Sequence, residues 1–288
     1  MSVVFALAAA FSNSFNVVSQ HVASIRSPPA VKGLAVGFYL IRQPLWLLGV
    51  VAMVAAFVFQ AIALYKGRLS VVQPVLVTEL VFTLVLFRVW LHGAVKAGAW
   101  LSASVTCAGL GVFLLVSEPQ GGHPQPTEGA WLSAILTMAV LTLGCVMLAS
   151  GGSPVRRAGF YAAGSGIVWA TMATFIKSTT DDFSAHGLVG MLQHGSIYAV
   201  VLTGIAGAVL TQAALHTGPL SISQPLMVTV DPLVSIVLGV WLFGEHFAGT
   251  GIRVVVAVLA FAAMAAGVVF MTRTSPEVFE APAPPASR

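Results

Sequence analysis

The sequence predicts an all-α polytopic membrane protein with about nine transmembrane helices, arranged as two inverted four-helix repeats joined by a central linker helix. Three observations predict this fold: the composition, the number of long apolar segments and an internal repeat. Hydrophobic residues make up 58% of the 288 residues and charged residues only 8%, whereas soluble domains carry about 25% charged residues. Because so few charges cannot cover a water-facing surface, we expect most of the surface to face lipid.

Nine segments have the length and the apolar character of membrane spans. A helix needs about 20 apolar residues to cross the hydrocarbon core, and lipid offers the backbone no hydrogen-bond partners outside a helix. The apolar stretch at 33–41 is too short to cross and is predicted to be interfacial. The predicted spans lie at approximately 3–22, 45–64, 70–88, 98–117, 130–149, 158–177, 190–214, 220–243 and 252–272.

The chain divides into two repeats and a linker, and no segment is long enough to fold as a soluble domain. We predict a first repeat at 1–117, a connector with the linker helix at 118–157, a second repeat at 158–272 and a disordered tail at 273–288. The sequence contains no phosphate-binding loop, dinucleotide motif or zinc-protease motif, so we expect neither an enzyme nor a bound cofactor. The net charge of +4 comes from isolated basic residues, which does not favour nucleic-acid binding.

The distribution of Lys and Arg predicts the orientation of the chain. Nine alternating spans place nine basic residues on one side of the membrane and four on the other. Because basic loops stay in the cytoplasm, we expect a plasma-membrane protein with its N-terminus outside and its C-terminus in the cytoplasm. Lys66 and Arg68 are exceptions, since they share a loop on the outer side.

The sequence repeats itself once. Residues 63–78 (ALYKGRLSVVQPVLVT) and residues 214–229 (ALHTGPLSISQPLMVT) align without a gap at an offset of 151, and nine of the 16 positions are identical. Shared Gly, Ser, Gln and Pro in one register do not arise from apolar composition alone. The identical positions of the first copy are Ala63, Leu64, Gly67, Leu69, Ser70, Gln73, Pro74, Val77 and Thr78.

Local structure explains most of the repeated polar and special residues. We expect the two glycines to end a helix in the left-handed conformation, the two serines to cap the next helix, and the two prolines to fall in its first turn. These residues are, in that order, Gly67 and Gly218, Ser70 and Ser221, and Pro74 and Pro225. The repeated Gln73 and Gln224 have no such explanation, which makes them candidates for a binding site.

The position of the repeat predicts an inverted topology. The motif joins span 2 to span 3 in its first copy and span 7 to span 8 in its second, so equivalent helices are five spans apart. An odd separation means that equivalent helices cross the membrane in opposite directions. Inverted repeats are typical of secondary transporters, whose binding sites lie near the midplane between the repeats. Spans 1–4 and 6–9 would then form the two repeats, with span 5 as the linker.

The repeat region resembles a known family. The run TQAALHTGPLSISQPLMVTVDPLVSIVLGVWLFGEHF (211–247) resembles the drug/metabolite transporter superfamily and its EamA-like members, most specifically in LGVWLFGE at 238–245. The run FQAIALYKGRLSVVQPVLVTELVF (59–82) looks like the matching part of the first half. Nine spans and the pattern Gly-x-Leu-x-x-x-Gln-Pro-Leu/Val look more like the NIPA-type magnesium transporters and their bacterial relatives. The first half departs at 87–93, which reads FRVWLHG without the acidic ending.

This resemblance implies a transporter but leaves its substrate open. The superfamily handles metabolites and drugs, and the NIPA-type pattern suggests Mg²⁺ or another divalent cation. We therefore expect a small-molecule or cation substrate and the lipid bilayer as partners. The alternatives from other classes are a non-transporting membrane scaffold and an intramembrane enzyme, which would need a converging His/Asp or Ser/His group that is not visible in the sequence.

Two carboxylates lie inside predicted spans, Glu79 in span 3 and Asp231 in span 8. A charge near the midplane costs about 2.5–3.5 kcal/mol on insertion scales. We therefore expect at least one of them to contact a substrate, a cation or a proton, and both are metal-ligand candidates if a cation is carried. The alternative is a neutral carboxyl group hydrogen-bonded to a neighbour.

The carboxylate of Asp231 shares a helix face with other polar groups. Gln224 and Asp231 are seven residues apart, so they lie within about 20° of each other around the helix. Pro232 cannot donate a hydrogen bond to the carbonyl of Val228. That carbonyl is free to bind a cation or water, unless the proline only kinks the helix.

Span 1 is unusually polar for a transmembrane helix. Asn13, Asn16 and Gln20 follow i, i+3, i+7 spacing and share a face that must point into the bundle. This face lines a cavity or makes interhelical hydrogen bonds. Trp169, in the middle of span 6, walls a cavity or packs in the core. The remaining candidates for substrate contact are Gln60, Gln212, Thr78 and Thr229.

Two charged residues lie at span ends and are given structural roles. Lys177 is expected to snorkel to the interface, and Glu245 to cap or pair locally rather than bind substrate. Small residues of span 9 have the small-xxx-small spacing of close helix contacts, which indicates either a homodimer face or internal packing. They are Ala262, Ala263, Ala266 and Gly267.

Overall fold

The computed structural model describes residues 1–25, 42–90, 92, 95–117, 119–122, 126–218, 220–247 and 251–274. The predicted interfacial segment at 33–41 and most of the predicted tail lie outside the described residues. The helices are α1 (Ser2–Ile25), α2 (Pro44–Lys66), α3 (Leu69–Leu76), α4 (Glu79–Trp90), α5 (Ala97–Ser117), α6 (Glu128–Leu148), α7 (Pro154–Gln193), α8 (Ser196–Thr217), α9 (Leu220–Phe243) and α10 (Ile252–Thr274). Two short strands, β1 (Pro119–Gly121) and β2 (Glu245–Phe247), form an antiparallel pair.

Within the described residues, nine helical segments are long and apolar enough to cross a membrane, with α3 and α4 together forming one of them. Large apolar side chains cover the outside of the bundle, as expected for a surface in lipid. Leu115 keeps 76% of its surface exposed and Leu202 keeps 69%. The prediction of an all-α multi-pass membrane protein is therefore confirmed.

Span 3 is divided into two helices, which the sequence did not predict. α3 ends at Leu76 and α4 begins at Glu79, with the amide of Val77 bonded to the carbonyl of Pro74 in a tighter turn. The prediction that the repeated prolines occupy the first helical turn is wrong, because Pro74 and Pro225 lie a turn further inside their helices.

Span 6 is much longer than predicted. α7 does not end near residue 177 but continues to Gln193, with a non-helical residue at Gly187 (φ 66°). The apolar pattern missed this extension because it carries polar residues such as Asp182. That carboxylate accepts a hydrogen bond of 2.7 Å from the hydroxyl of Ser196, which ties α7, at a point before Gly187, to the start of α8.

The repeated glycines are required for space rather than for a left-handed backbone. Gly67 and Gly218 have extended conformations, with φ of −146° and −163°, so the predicted left-handed helix ends are wrong. A Cβ at Gly67 would clash with Ser2 at the start of α1. A Cβ at Gly218 would lie 2.7 Å from the Cβ of Ala158 and from the carbonyl oxygen of Pro154, at the start of α7.

The predicted serine caps are not found where the structure describes them. The hydroxyl of Ser70 has no hydrogen-bond partner among the described residues, and the first amides of α3 bond instead to the carboxylate of Glu245. Ser221 lies at a position whose side chain is outside the described part of the chain. The prediction for Ser70 failed because a distant carboxylate, a stronger acceptor than a hydroxyl, occupies the capping position.

Helix packing brings distant parts of the chain together. α1 packs against α2 and α4, α7 packs against α8 and α9, α3 packs against α9, and α5 packs against α10. The contact between α5 and α10 depends on small residues, since a Cβ at Gly109 would lie 2.7 Å from the backbone of α10 and a Cβ at Gly267 would clash with Thr106. Gly267 thus serves internal packing, while Ala262 and Ala266 are exposed.

The chain turns cluster at two ends of the bundle. At the first end, Gly67 meets Ser2, and Arg68 donates a hydrogen bond of 2.9 Å to the carbonyl of Gly121 beside the strand pair. At the second end, Gly218 meets Pro154. The ends are about 35 Å apart along α7, because Lys177 of that helix lies at the first end and a helix rises about 1.5 Å per residue.

Candidate functional site

The carboxylate of Glu79 is held by the first helix. It lies at the start of α4, and its Oε2 accepts a hydrogen bond of 2.7 Å from Nδ2 of Asn13 in α1. The hydroxyl of Ser14 donates a hydrogen bond of 2.6 Å to the backbone carbonyl of Glu79, and Thr83 donates to the same carbonyl at 2.8 Å. The break in span 3 thus makes Glu79 the first residue of α4, and hydrogen bonds to α1 fix both its backbone and its side chain.

The carboxylate of Asp231 is held by its own helix. Its Oδ1 accepts a hydrogen bond of 3.2 Å from the hydroxyl of Ser235, one turn further along α9. The preceding residue, Val230, packs tightly against α7, because a Cβ at Gly166 would lie only 2.9 Å from the Cβ of Val230. The backbone beside Asp231 is therefore fixed by helix packing, while its carboxylate has a single bond within the same helix.

The structure brings the two predicted carboxylates near each other. Asp231 lies within electrostatic range of Glu79, although the two residues come from different halves of the chain. Both side chains are partly buried. The pair therefore marks a candidate polar site between α1, α4, α7 and α9.

Amide and hydroxyl groups without partners among the described residues lie on α3 and α9, in the two spans that carry the carboxylates. Gln73 in α3 is 2% exposed, and its Nε2 has no hydrogen-bond partner among the described residues. The same holds for Oε1 of Gln224 and the hydroxyl of Thr229, both in α9. Thr78 differs, since its hydroxyl donates a bond of 2.7 Å to the carbonyl of Val75. Unpaired buried polar atoms are costly, and a polar ligand or water would satisfy these groups.

The polar residues of α1 divide between two neighbours. Asn13 reaches Glu79 in α4, whereas Nε2 of Gln20 donates a hydrogen bond of 2.6 Å to Oδ1 of Asn16 within α1. A Cβ at Gly49 of α2 would lie 3.1 Å from the Gln20 side chain. Asn13 therefore belongs to the carboxylate site, while Asn16 and Gln20 satisfy each other beside α2.

The remaining predicted candidates lie elsewhere on the bundle. Trp169 packs against Gly207 of α8 and donates a hydrogen bond of 3.1 Å to the hydroxyl of Thr211. This is the packing role that the sequence left open. Gln212 is exposed on α8, and Gln60 is partly buried on α2. No hydrogen bond recorded among the described residues links these three side chains to the two carboxylates.

Sequence reasoning missed some residues that hold the site. Ser14 and Ser235 fix the backbone of Glu79 and the side chain of Asp231, respectively. Ser235 had a usable signal, because a serine four residues after an aspartate faces it on a helix. Glu245 does act as a cap, but it caps the distant helix α3 rather than a local group.

The site has few ligands for a metal ion. In the part of the chain that the structure describes, no group of three or more His, Cys, Asp or Glu side chains is arranged to hold a metal. A cavity of about 250 Å³ between α5, α9 and α10 is lined mainly by apolar side chains such as Phe113, Leu233 and Phe261. It contains neither Glu79 nor Asp231, so it is separate from the carboxylate site.

Comparison of the sequence with known proteins finds a relative of similar length. No family model matches the sequence, and no solved structure matches it. An uncharacterized protein of Corynebacterium glutamicum is 26% identical over 283 residues, which cover 96% of each chain. The similarity thus extends over nearly the whole membrane bundle rather than one segment.

Proposed function

We propose that the protein is a secondary transporter that moves a small solute across the plasma membrane by alternating access. The observation that carries this proposal is the electrostatic interaction of Glu79 with Asp231, one carboxylate from each half of the chain, inside a membrane bundle. Carboxylates within membrane spans generally mark substrate, ion or proton pathways. On this proposal the protein is not an enzyme, and its N-terminus lies outside and its C-terminus in the cytoplasm.

The environments of the two repeated glycines support an inverted arrangement of the halves. Gly67 packs on the start of α1 at the first end of the bundle, and Gly218 packs on the start of α7 at the second end. The offset of 151 that relates these glycines also relates Ser2 of α1 to Ser153, which caps α7. Equivalent contacts at opposite ends are expected if residues 1–117 and 158–272 are inverted repeats linked by residues 118–157.

The pattern of helix packing supports the same arrangement. In the first half α1 packs against α2 and α4, and in the second half α7 packs against α8 and α9. The two halves then meet through equivalent elements, α3 on α9 and α5 on α10. In inverted-repeat transporters the binding site lies between the repeats near the midplane, which is where this scheme places the carboxylate pair.

The chemistry of the site favours a positively charged cargo or a coupled proton. Two carboxylates, together with the unpaired oxygens of Gln224 and Thr229, attract cations rather than anions. The resemblance to drug/metabolite transporters fits an organic solute. The NIPA-like alternative, transport of Mg²⁺, fits if the ion keeps several of its waters, since Mg²⁺ commonly binds through only one or two carboxylates. A scaffold without transport gives no reason for unpaired polar groups in the bundle.

Uptake into proteoliposomes tests the proposal. Purified wild-type protein is compared with the double variant Glu79→Gln/Asp231→Asn against organic cations, neutral and anionic metabolites, and Mg²⁺. We expect the wild type to carry at least one cationic substrate and the double variant to carry it at least about tenfold more slowly, the effect of losing a charged interaction. Glu128→Gln is the control, because this carboxylate is exposed at the start of α6. Equal transport by wild type and double variant would contradict the role of the carboxylates.

A further inference from the structure

A lysine from the second half of the chain binds the turn between α2 and α3 on the α2 side. Nζ of Lys177 in α7 lies 3.4 Å from the carbonyl oxygen of Leu64 and 3.3 Å from that of Gly67. The last carbonyls of a helix lack partners within the helix, and they form the negative end of its dipole. Lys177 therefore supplies a positive charge to the C-terminal end of α2.

A carboxylate from the second half binds the same turn on the α3 side. Oε1 of Glu245 accepts a hydrogen bond of 2.8 Å from the amide of Leu69, and Oε2 accepts one of 3.0 Å from the amide of Ser70. Glu245 is only 1% exposed. These amides form the positive end of α3. A single turn of the first half is thus held by two opposite charges of the second half, each at the helix end that its sign favours.

Neighbouring residues fix both charged groups in position. A Cβ at Gly239 would lie 2.5 Å from Oε2 of Glu245, so the missing side chain leaves the space that the carboxylate occupies against α9. Nζ of Lys177 lies 5.2 Å from the centre of the Phe243 ring, within the range of a cation–π contact, and Phe243 is fully buried. We call Lys177, Glu245 and the turn that they hold, Leu64–Ser70, the turn clamp.

The acidic part of the turn clamp is present in only one half of the sequence. The offset of 151 relates Glu245 to Ala94, whereas it relates Lys177 to Arg26. By sequence, the base therefore has a basic counterpart but the carboxylate has no acidic counterpart. A transporter with inverted repeats opens alternately at its two ends, so a bond present at one end only makes the two states unequal in free energy.

We propose that the turn clamp is the gate latch of this protein: it holds the first end of the bundle closed and favours the state that opens at the second end. This inference rests on the proposed transport function. Opening the first end requires the halves to separate there, which breaks the two hydrogen bonds to Lys177 and the two to Glu245. Lys177 and Glu245 act as positioning residues, because they set the equilibrium between states without touching the cargo.

Distances between spin labels test the latch directly. In a background of Cys107→Ala and Cys145→Ala, one pair of labels is placed at the exposed Tyr65 and His246, at the first end. A second pair is placed at the exposed Arg88 and His216, at the second end. Electron paramagnetic resonance then reports the separation of the halves at each end, without a substrate.

We expect one short-distance population at the first end in the wild-type background. Glu245→Gln and Lys177→Met should each raise the ratio of open to closed populations at that end by roughly tenfold or more, as for the loss of a charged hydrogen bond, and should shorten the distance at the second end. Gly239→Ala should act in the same direction, because it displaces the carboxylate while keeping its charge. The matched control is Glu128→Gln, which removes an exposed charge outside the turn clamp and should leave both distances unchanged.

The latch is wrong if the folded variants keep the wild-type distances at both ends, or if they unfold at lower temperature without the opposite shift at the second end. If Glu245→Gln does not fold, Lys177→Met and Gly239→Ala decide the question. The outcome is separable from the transport proposal. Unchanged distances with normal uptake overturn only the latch, while shifted distances in a protein that carries no tested substrate support the latch and count against the cargo classes tested.

Discussion

The two carboxylates of the candidate site are held in different ways. Glu79 is bonded from another helix, by Asn13 of α1, and its backbone carbonyl is bonded by Ser14 of the same helix. Asp231 is bonded within its own helix, by Ser235. A relative movement of α1 and α9 would therefore keep Glu79 with α1 and carry Asp231 away with α9. Glu79 is thus the more firmly anchored carboxylate, and on the proposed function Asp231 is the one that exchanges its partner.

The helices that carry these carboxylates also differ. Span 3 is interrupted just before Glu79, whereas α9 runs without interruption from Leu220 to Phe243 even though it contains Pro225 and Pro232. The interruption places Glu79 in the first turn of α4, where the helix dipole favours a negative charge. Asp231 lies in the middle of a helix and receives no such support. Glu79 thus has more stabilising contacts than Asp231.

The single carboxylate variants test this comparison with the largest expected effect. Asp231→Asn should reduce the initial rate of uptake in proteoliposomes by at least about tenfold, since on the proposed function it removes the charge that exchanges between partners. Glu79→Gln should reduce the rate less, because the glutamine oxygen still accepts the hydrogen bond from Asn13. If Glu79→Gln is the more damaging of the two, the roles of anchored and exchanging carboxylate are reversed.

Removal of the two hydrogen-bond donors tests the same comparison through stability. Asn13→Ala should lower the free energy of unfolding by about 1–2 kcal/mol, at the upper end of interhelical hydrogen bonds in membranes, because it leaves a carboxylate without its partner on α1. Ser235→Ala should cost less than about 0.6 kcal/mol, since its bond is longer and joins residues of one helix. Thermal unfolding in detergent measures both. Equal losses would show that Glu79 is no better anchored than Asp231.

The sequence predicted the helices well because lipid imposes a simple rule on them. Any chain segment in the hydrocarbon core must satisfy its own backbone, so the number of apolar segments predicts the number of crossing helices. The rule does not predict where a span is interrupted. The same dipeptide, Val-Thr, forms the interruption at 77–78 and continues the helix at 228–229. The interrupted span packs against α1 and the continuous span packs against α7. A local sequence pattern does not reveal these contacts with distant helices.

The sequence predicted the residue types of the site better than their partners. Buried carboxylates stand out in a transmembrane segment, so Glu79 and Asp231 were identifiable. The role of Glu245 was only half predictable, since a cap on a distant backbone amide leaves no pattern in the sequence of the capped helix. Gly67 shows a similar limit. The sequence does not show whether a glycine is needed for close packing or for a left-handed turn, and only the neighbouring helix distinguishes the two cases.

The smallest expected effect is that of Thr229→Val, which is compared with Thr78→Val because the two threonines occupy equivalent positions in the continuous and the interrupted span. The hydroxyl of Thr78 is bonded to the carbonyl of Val75, whereas that of Thr229 is buried without a partner among the described residues. Thr78→Val should therefore lower the free energy of unfolding by about 0.5–1.5 kcal/mol. Thr229→Val should leave it unchanged or raise it, because replacing an unpaired buried hydroxyl by a methyl group removes a desolvation cost. Uptake assays add a second readout: a weaker apparent affinity in Thr229→Val alone would assign its hydroxyl to the cargo. If Thr229→Val destabilises as much as Thr78→Val, its hydroxyl has a structural partner, and the two spans differ less at this position than their hydrogen bonds indicate.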